Sequence, residues 1–252
     1  MKVLATSKKP SDTKSKRLKY VSLERSWPVL NPVLLGFMEL KQDNYFPFIP
    51  KEQIPFYIEK AIQFGQDAAQ RYANDFSLKE FINILLKQGV RVNFVNTHPS
   101  DQWIRAQYLE KKSTIEIYRP SLVQIKSFFQ EIDESVDEKD IIVLHLYHEW
   151  FHHLEEKKFG RTDRSLPKTR IKKWGPFVYK RGIRRTREIA AHAFTQAAMN
   201  INWSPLLLDY LLLFTRQGWT KTQIREHFQQ IKNQYEQLTE PEFAEDDEQA
   251  NP

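Results

Sequence analysis

The 252-residue chain contains no cysteine. That absence removes disulfides, thiolate nucleophiles and thiolate metal ligands together, and it fits a reducing compartment. Any metal must therefore rest on His, Asp or Glu. Glycine is scarce, at seven residues, which leaves little room for a glycine-rich phosphate loop. Neither such a loop nor a G-x-S-x-G nucleophile motif occurs. Long apolar runs are missing too. The strongest late run, Pro205 to Phe214, is too short for a bilayer and carries Asp209 in its middle, so no membrane span is expected. The start, MKVLATSKKPSDTKSKRLKY, is basic without a following apolar segment, so a secretory leader is not expected and a cytoplasmic location is.

What is present is globular. With 40% hydrophobic and 13% aromatic residues, a chain of this length can bury one sizeable core, and we expect a single main domain. The formal net charge of +6 conceals a division. From Lys157 to Arg187 there are thirteen Lys or Arg against one acid, Asp163, and the rest of the chain is net negative by six. Residues 1–26 read as a basic disordered tail and residues 239–252 as an acidic one, because Glu236 to Glu248 holds seven acids and no base. The ordered domain is expected over 27–238, with its core at about 53–200 and C-terminal helices at about 204–238.

Periodicity fills in this frame. A helix is expected over Gln53 to Tyr72. Ser77 to Glu80 has capping-box form ahead of Phe81, Ile82 and Leu85, and Gly89 stands where that helix should stop. Val90 to Val95 alternates like a strand. Ile104 to Leu109 and Thr114 to Tyr118 flank a polar turn as an antiparallel hairpin, and Leu122 to Ile132 is amphipathic at helical spacing. Further helices are expected over about Asp140 to Glu156, Thr186 to Asn200, Pro205 to Thr215 and Thr220 to Glu236. The fold class is α+β, a small sheet followed by helices.

Four of the seven histidines fall within nine positions, 145 to 153, in LHLYHEWFHHLEEKKFG. His148-Glu149-Trp150-Phe151-His152 fits H-E-x-x-H. Residues four apart share a helix face, so both imidazoles can reach one ion while Glu149 lies beside them as a general base. Chance would produce roughly 0.015 such matches in a chain of this composition, so context matters. A catalytic zinc also takes a third protein ligand. Glu188, in TREIAAHAF, is the best candidate, because it opens a helix rich in small residues that can pack close to the first. His145 and His153 read as packing or outer-shell groups. His192, one turn after Glu188, can orient that carboxylate, stabilise an oxyanion or serve structure. Tyr179 is a weaker candidate for transition-state stabilisation, placed in the loop between the ligands. A ferritin-like carboxylate bundle is disfavoured, since Glu188 to His192 spaces as E-x-x-x-H instead of E-x-x-H.

The order of helix, LLKQGVRVNFV strand, STIEIYRP strand, helix, HEWFHH and EIAAHAF resembles the ImmA/IrrE-type zinc metallopeptidases, a gluzincin-like group, over roughly Ala61 to Met199. The resemblance implies a zincin-like core with a small mixed or antiparallel sheet, one zinc ion on His148, His152 and Glu188, and Glu149 as base. It implies cleavage of a regulatory protein such as a transcriptional repressor. It also favours Thr114 to Tyr118 as an edge strand that holds an extended peptide across the metal. His192 stands where Asn or Asp is usual in that family, and the basic connection between the ligand helices is longer.

That connection, Lys157 to Arg187, interleaves its cations with Trp174, Phe177 and Tyr179. Such a composition suits nucleic acid, acidic protein segments or anionic lipid, or else a loop neutralised by the chain's own acids. Its place beside the cleft points to acidic or DNA-associated protein substrates. A rival reading is a DNA-associated regulator that keeps the fold without proteolysis.

Overall fold

The computed structural model describes residues 15–98 and 104–239, and it is α+β. Two short 3-10 turns, Leu18–Tyr20 and Leu23–Arg25, lead into α1 (Pro32–Leu40). Asn31 caps α1 by accepting from the Leu34 N–H, and Pro32 occupies the first turn, where its missing donor costs nothing. The long α2 (Ile54–Tyr72) follows. Ahead of α3 (Leu78–Lys87) the expected capping box is formed in both directions between Ser77 and Glu80, and Gly89 leaves the helix at φ +75°.

Three strands form a mixed sheet in the order β1-β3-β2. β1 (Arg91–Val95) runs parallel to β3 (Thr114–Tyr118), and β2 (Ala106–Leu109) pairs antiparallel with β3. The hairpin expectation is met, but Thr114 to Tyr118 is not an edge strand. It is the central strand, with Ile115 and Ile117 fully buried, and the free edges belong to β1 and β2. α4 (Arg119–Gln130) then covers the sheet and carries the chain to α5 (Glu138–Leu154), the helix with the histidines.

α5 is buried around almost its whole circumference, which marks it as the central element. Tyr147, Trp150 and Phe151 meet Phe194 of α7 (Arg185–Met199) at centroid separations of 6.1, 5.9 and 5.3 Å. Removing a buried ring such as Phe194 costs about 3–5 kcal/mol. The small residues expected to bring α7 against α5 serve α2 as well, and there more closely. A Cβ on Gly65 of α2 would stand 2.1 Å from the Ala190 carbonyl oxygen and 2.8 Å from the Phe194 nitrogen, so only glycine permits this approach. α8 (Pro205–Arg216) and α9 (Lys221–Thr239) complete the molecule, α9 opening with the expected Thr220–Gln223 reciprocal bonds.

Two expectations are corrected here. Residues 15–26 are not a solvated tail. Leu18, Val21 and Leu23 are buried, the Leu18 N–H donates to Asp140 at 2.8 Å, and Lys16 and Val136 form a parallel bridge. The apolar cluster accordingly runs from Leu18 to Ile231 and is not confined to 53–200. The connection Lys157 to Arg187 is not a plain loop either. It holds the short α6 (Thr162–Ser165) and an antiparallel hairpin of β4 (Thr169–Trp174) and β5 (Phe177–Arg181). Residues 240–252, most of the expected acidic tail, lie outside the described residues, as do residues 1–14. Among the described residues no helix is long and apolar enough to cross a membrane.

Candidate metal centre

Helical spacing sets His148 and His152 on one face of α5, their rings 5.1 Å apart between centroids. α7 delivers Glu188 opposite them. One carboxylate oxygen lies 3.3 Å from His148 Nε2 and the other 3.6 Å from His152 Nε2. The three ligand atoms fall within 4.8 Å of one another, and this is the group of His and acidic residues, among the described residues, that could hold a metal ion. It stands in a cleft of about 420 Å³ between α5, α7 and the edge strand β2.

The outer partners show why the ligands point as they do. Immediately after α5 the helix widens into a π turn, Glu155–Phe159, before Gly160 ends it at φ +84°. Glu155, at the start of that turn, is buried and reaches back to His152 Nδ1 at 3.1 Å. It also accepts from the Thr162 N–H at 2.7 Å, the Thr162 hydroxyl at 2.6 Å and Arg187 Nε at 2.8 Å. Burial alone would raise the Glu155 carboxyl, but His152, Arg187 and Thr162 hold it below its ordinary value. With Nδ1–H committed to Glu155, Nε2 is the nitrogen turned to Glu188, and release of its proton leaves the tautomer that a metal requires.

The electrostatics favour positive charge at this point. Burial disfavours the His152 imidazolium, yet Glu188, and then Glu155, push its pKa up to about 10. Burial would likewise raise Glu188, but His152 and His148 hold its carboxyl well below the usual range. Two imidazole nitrogens and one carboxylate are the donors of a His2Glu zinc site, so the residues fit such an ion. Glu149 lines the same cleft, with its pKa raised by burial, partly offset by His148 and His152 and by a hydrogen bond from the Tyr108 main chain.

The remaining predicted residues divide. His192 is brought to the cleft, 4.6 Å from the His148 ring, but its Nε2 faces Asp209 at 3.6 Å instead of orienting Glu188. Burial lowers the His192 pKa to about 3, so the ring is neutral. With Nε2–H turned to Asp209, Nδ1 is an acceptor, and it has no partner. Tyr179 is not brought to the site. It sits more than half exposed on β5 and does not line the cleft. His145 lines the cleft floor without a partner at Nε2, and His153 is turned aside to the Tyr108 hydroxyl at 2.8 Å.

Three participants escape the sequence reading. Asp209 and Arg105 form a 2.6 Å ion pair at the cleft wall, and Arg105 Nε is a buried donor with no partner. The available signal was Asp209 itself, a lone acid inside the apolar run of α8. Glu155 was missed as well, although it follows His152 by three positions, where a helical neighbour is expected. Comparison of the chain with family models, curated proteins and solved structures finds no match.

Proposed function

We propose that this chain is a zinc-dependent endopeptidase of the zincin type, as its resemblance to the ImmA/IrrE metallopeptidases implies. The observation that carries the reading is the convergence of His148, His152 and Glu188 from two helices, with Glu149 beside them in an open cleft. Zinc held by these three side chains would supply Lewis acidity towards a peptide carbonyl. The other steps belong to the protein. Glu149, its pKa raised by burial, takes a proton from the attacking water and returns it to the leaving amine. The Tyr108 main chain keeps that carboxylate in place.

The substrate lies along β2. The Tyr118 N–H donates to the Arg105 carbonyl, which assigns the main-chain groups of Arg105, Gln107 and Leu109 to β3. Those of Ala106 and the Tyr108 carbonyl therefore point outwards at the edge beside α5, where an extended peptide can pair with them, while the Tyr108 N–H is turned to Glu149. Arg105, held by Asp209 at the cleft wall, offers the cleft a cation for a substrate carboxylate. A regulatory protein with an accessible extended segment, such as a repressor, fits this arrangement.

Metal analysis of the purified chain beside His148→Ala and Glu188→Ala tests the centre: wild type carries one equivalent of zinc and each variant loses it. Full loading of both variants would remove the assignment. Glu149→Gln should keep zinc and lose cleavage by about 10²–10⁴-fold. A rate equal to wild type would remove Glu149 as the base.

A further inference from the structure

Between Arg164 and Arg184 the chain has no acid, and the structure shows what its cations surround. A groove of about 950 Å³ opens at the root of the β4–β5 hairpin, bounded on the far side by the turn after α1. Some of its cations are spoken for: Arg161 pairs with Asp163, Arg185 with Glu39, and Arg187 with Glu155. Arg164, Lys168, Lys180, Arg181 and Arg184 also line it, and none of them has an acidic partner among the described residues. Arg187 and Glu188 line both this groove and the metal cleft, so the two run together.

The hairpin continues the groove outwards. Trp174 opposes Phe177, and Lys172 opposes Tyr179. Opposed residues share a face and alternate residues return to it, so the three rings lie on one side of the ribbon with Lys172 among them. The rings are 75%, 70% and 55% exposed for Trp174, Phe177 and Tyr179, and among the described residues none stacks on another part of the protein. Three adjacent rings left in water serve no packing purpose.

We propose that the hairpin face and the basic groove at its root form one binding track for single-stranded nucleic acid. Bases stack on Trp174, Phe177 and Tyr179, and the phosphates that follow run over Arg164, Lys168, Lys180, Arg181 and Arg184. Flat rings interleaved with unpaired cations match both halves of a nucleotide. An acidic peptide would use the cations and leave the rings idle. A lipid surface would draw Lys172 into the bilayer with the rings beside it. The track ends at the metal cleft, so a bound strand would bring its protein companions to the zinc. The inference does not rest on the peptidase reading, because binding is measured without cleavage.

The test is fluorescence anisotropy of a labelled oligothymidylate with the full chain, across a range of salt. The log of affinity should fall linearly with log salt, with a slope of about −3 to −4 for five phosphate contacts. Trp174→Ala, Phe177→Ala and Tyr179→Ala should each weaken binding between about fivefold and about hundredfold. Lys180→Gln with Arg181→Gln and Arg184→Gln should flatten the salt slope by about two units. Because all six positions are exposed, thermal melting should match wild type. The proposal is overturned if the three ring variants bind as wild type does. It is equally overturned if polyglutamate or phosphatidylserine vesicles compete at lower concentration than the unlabelled oligonucleotide.

Discussion

Between His152 and Glu188 the chain leaves the core, forms the β4–β5 hairpin in solvent and returns, and the two regions treat polar groups in opposite ways. Around the ligands the outer carboxylates are committed: Glu155 accepts from His152, Thr162 and Arg187 together, and Asp209 holds Arg105 while facing His192. On the hairpin the cations have no acid among the described residues, and the rings stand in solvent. A ligand set has to be held to a fraction of an ångström, which takes redundant bonds. A surface that receives a flexible polymer gains by leaving its groups free. The comparison teaches that one connection can anchor a rigid centre at both ends and still be shaped for recognition in the middle.

Breaking the rigid side should have the larger effects. Gly65→Ala puts a methyl into the Ala190 carbonyl and forces α2 off α7, with an expected loss of about 3 kcal/mol in urea unfolding. The same variant should weaken zinc loading, since α7 carries Glu188; an unchanged midpoint would mean that the helices separate freely. Glu155→Gln should retain the fold but lower zinc affinity about 10–100-fold in a chelator competition, because His152 loses the carboxylate that fixes its tautomer. Wild-type affinity in that variant would mean that the π turn plays no part in orienting the ligand.

Acid exposes a subtler difference. Burial lowers the pKa of His145 and of His192 to about 3 each, below the ordinary 6.5. A depressed folded-state pKa gives stability that is present above pH 6.5 and is lost as pH falls from there towards 3. Each such ring contributes a slope of up to about 1.4 kcal/mol per pH unit. The metal-free protein should therefore lose stability between pH 6.5 and 4.5, and His145→Leu should lose less over the same interval. Parallel curves would show that His145 is solvated. The smallest effect belongs to the hairpin, where Trp174→Ala, Phe177→Ala and Tyr179→Ala combined should change stability by no more than about 0.5 kcal/mol.

Local signals were legible in the sequence where a single element carried them. The reciprocal cap at Ser77 and Glu80, the stop at Gly89, the helix bearing His148 and His152 and the following helix bearing Glu188 are all visible as short-range patterns, and each is present. Strand order was not legible. The alternation of Thr114 to Tyr118 is the same for an edge and a centre, and only its parallel pairing with β1 decides the matter. Leu18, Val21 and Leu23 were masked by the lysines around them, since burial there depends on a partner more than a hundred residues away. The hairpin hid behind its own charge. Gly175 and Pro176 mark its turn, but the cations on both faces erase the apolar alternation by which strands are usually read. Asp209 and Arg105 meet only because α8 folds back across the cleft, which no spacing rule anticipates.

The contact between the Leu18 N–H and Asp140 spans 122 positions and ties the chain's early residues to the first turn of the histidine helix. A closure of that reach gives up loop entropy before it returns any stabilisation, so it is expected late in folding. The segment around Leu18 is synthesised before α5, yet it gains its partner only once that helix supplies Asp140. Until α5 has formed, Leu18 lacks its Asp140 partner, so the assembly of the histidine helix and the covering of that apolar segment should be coupled.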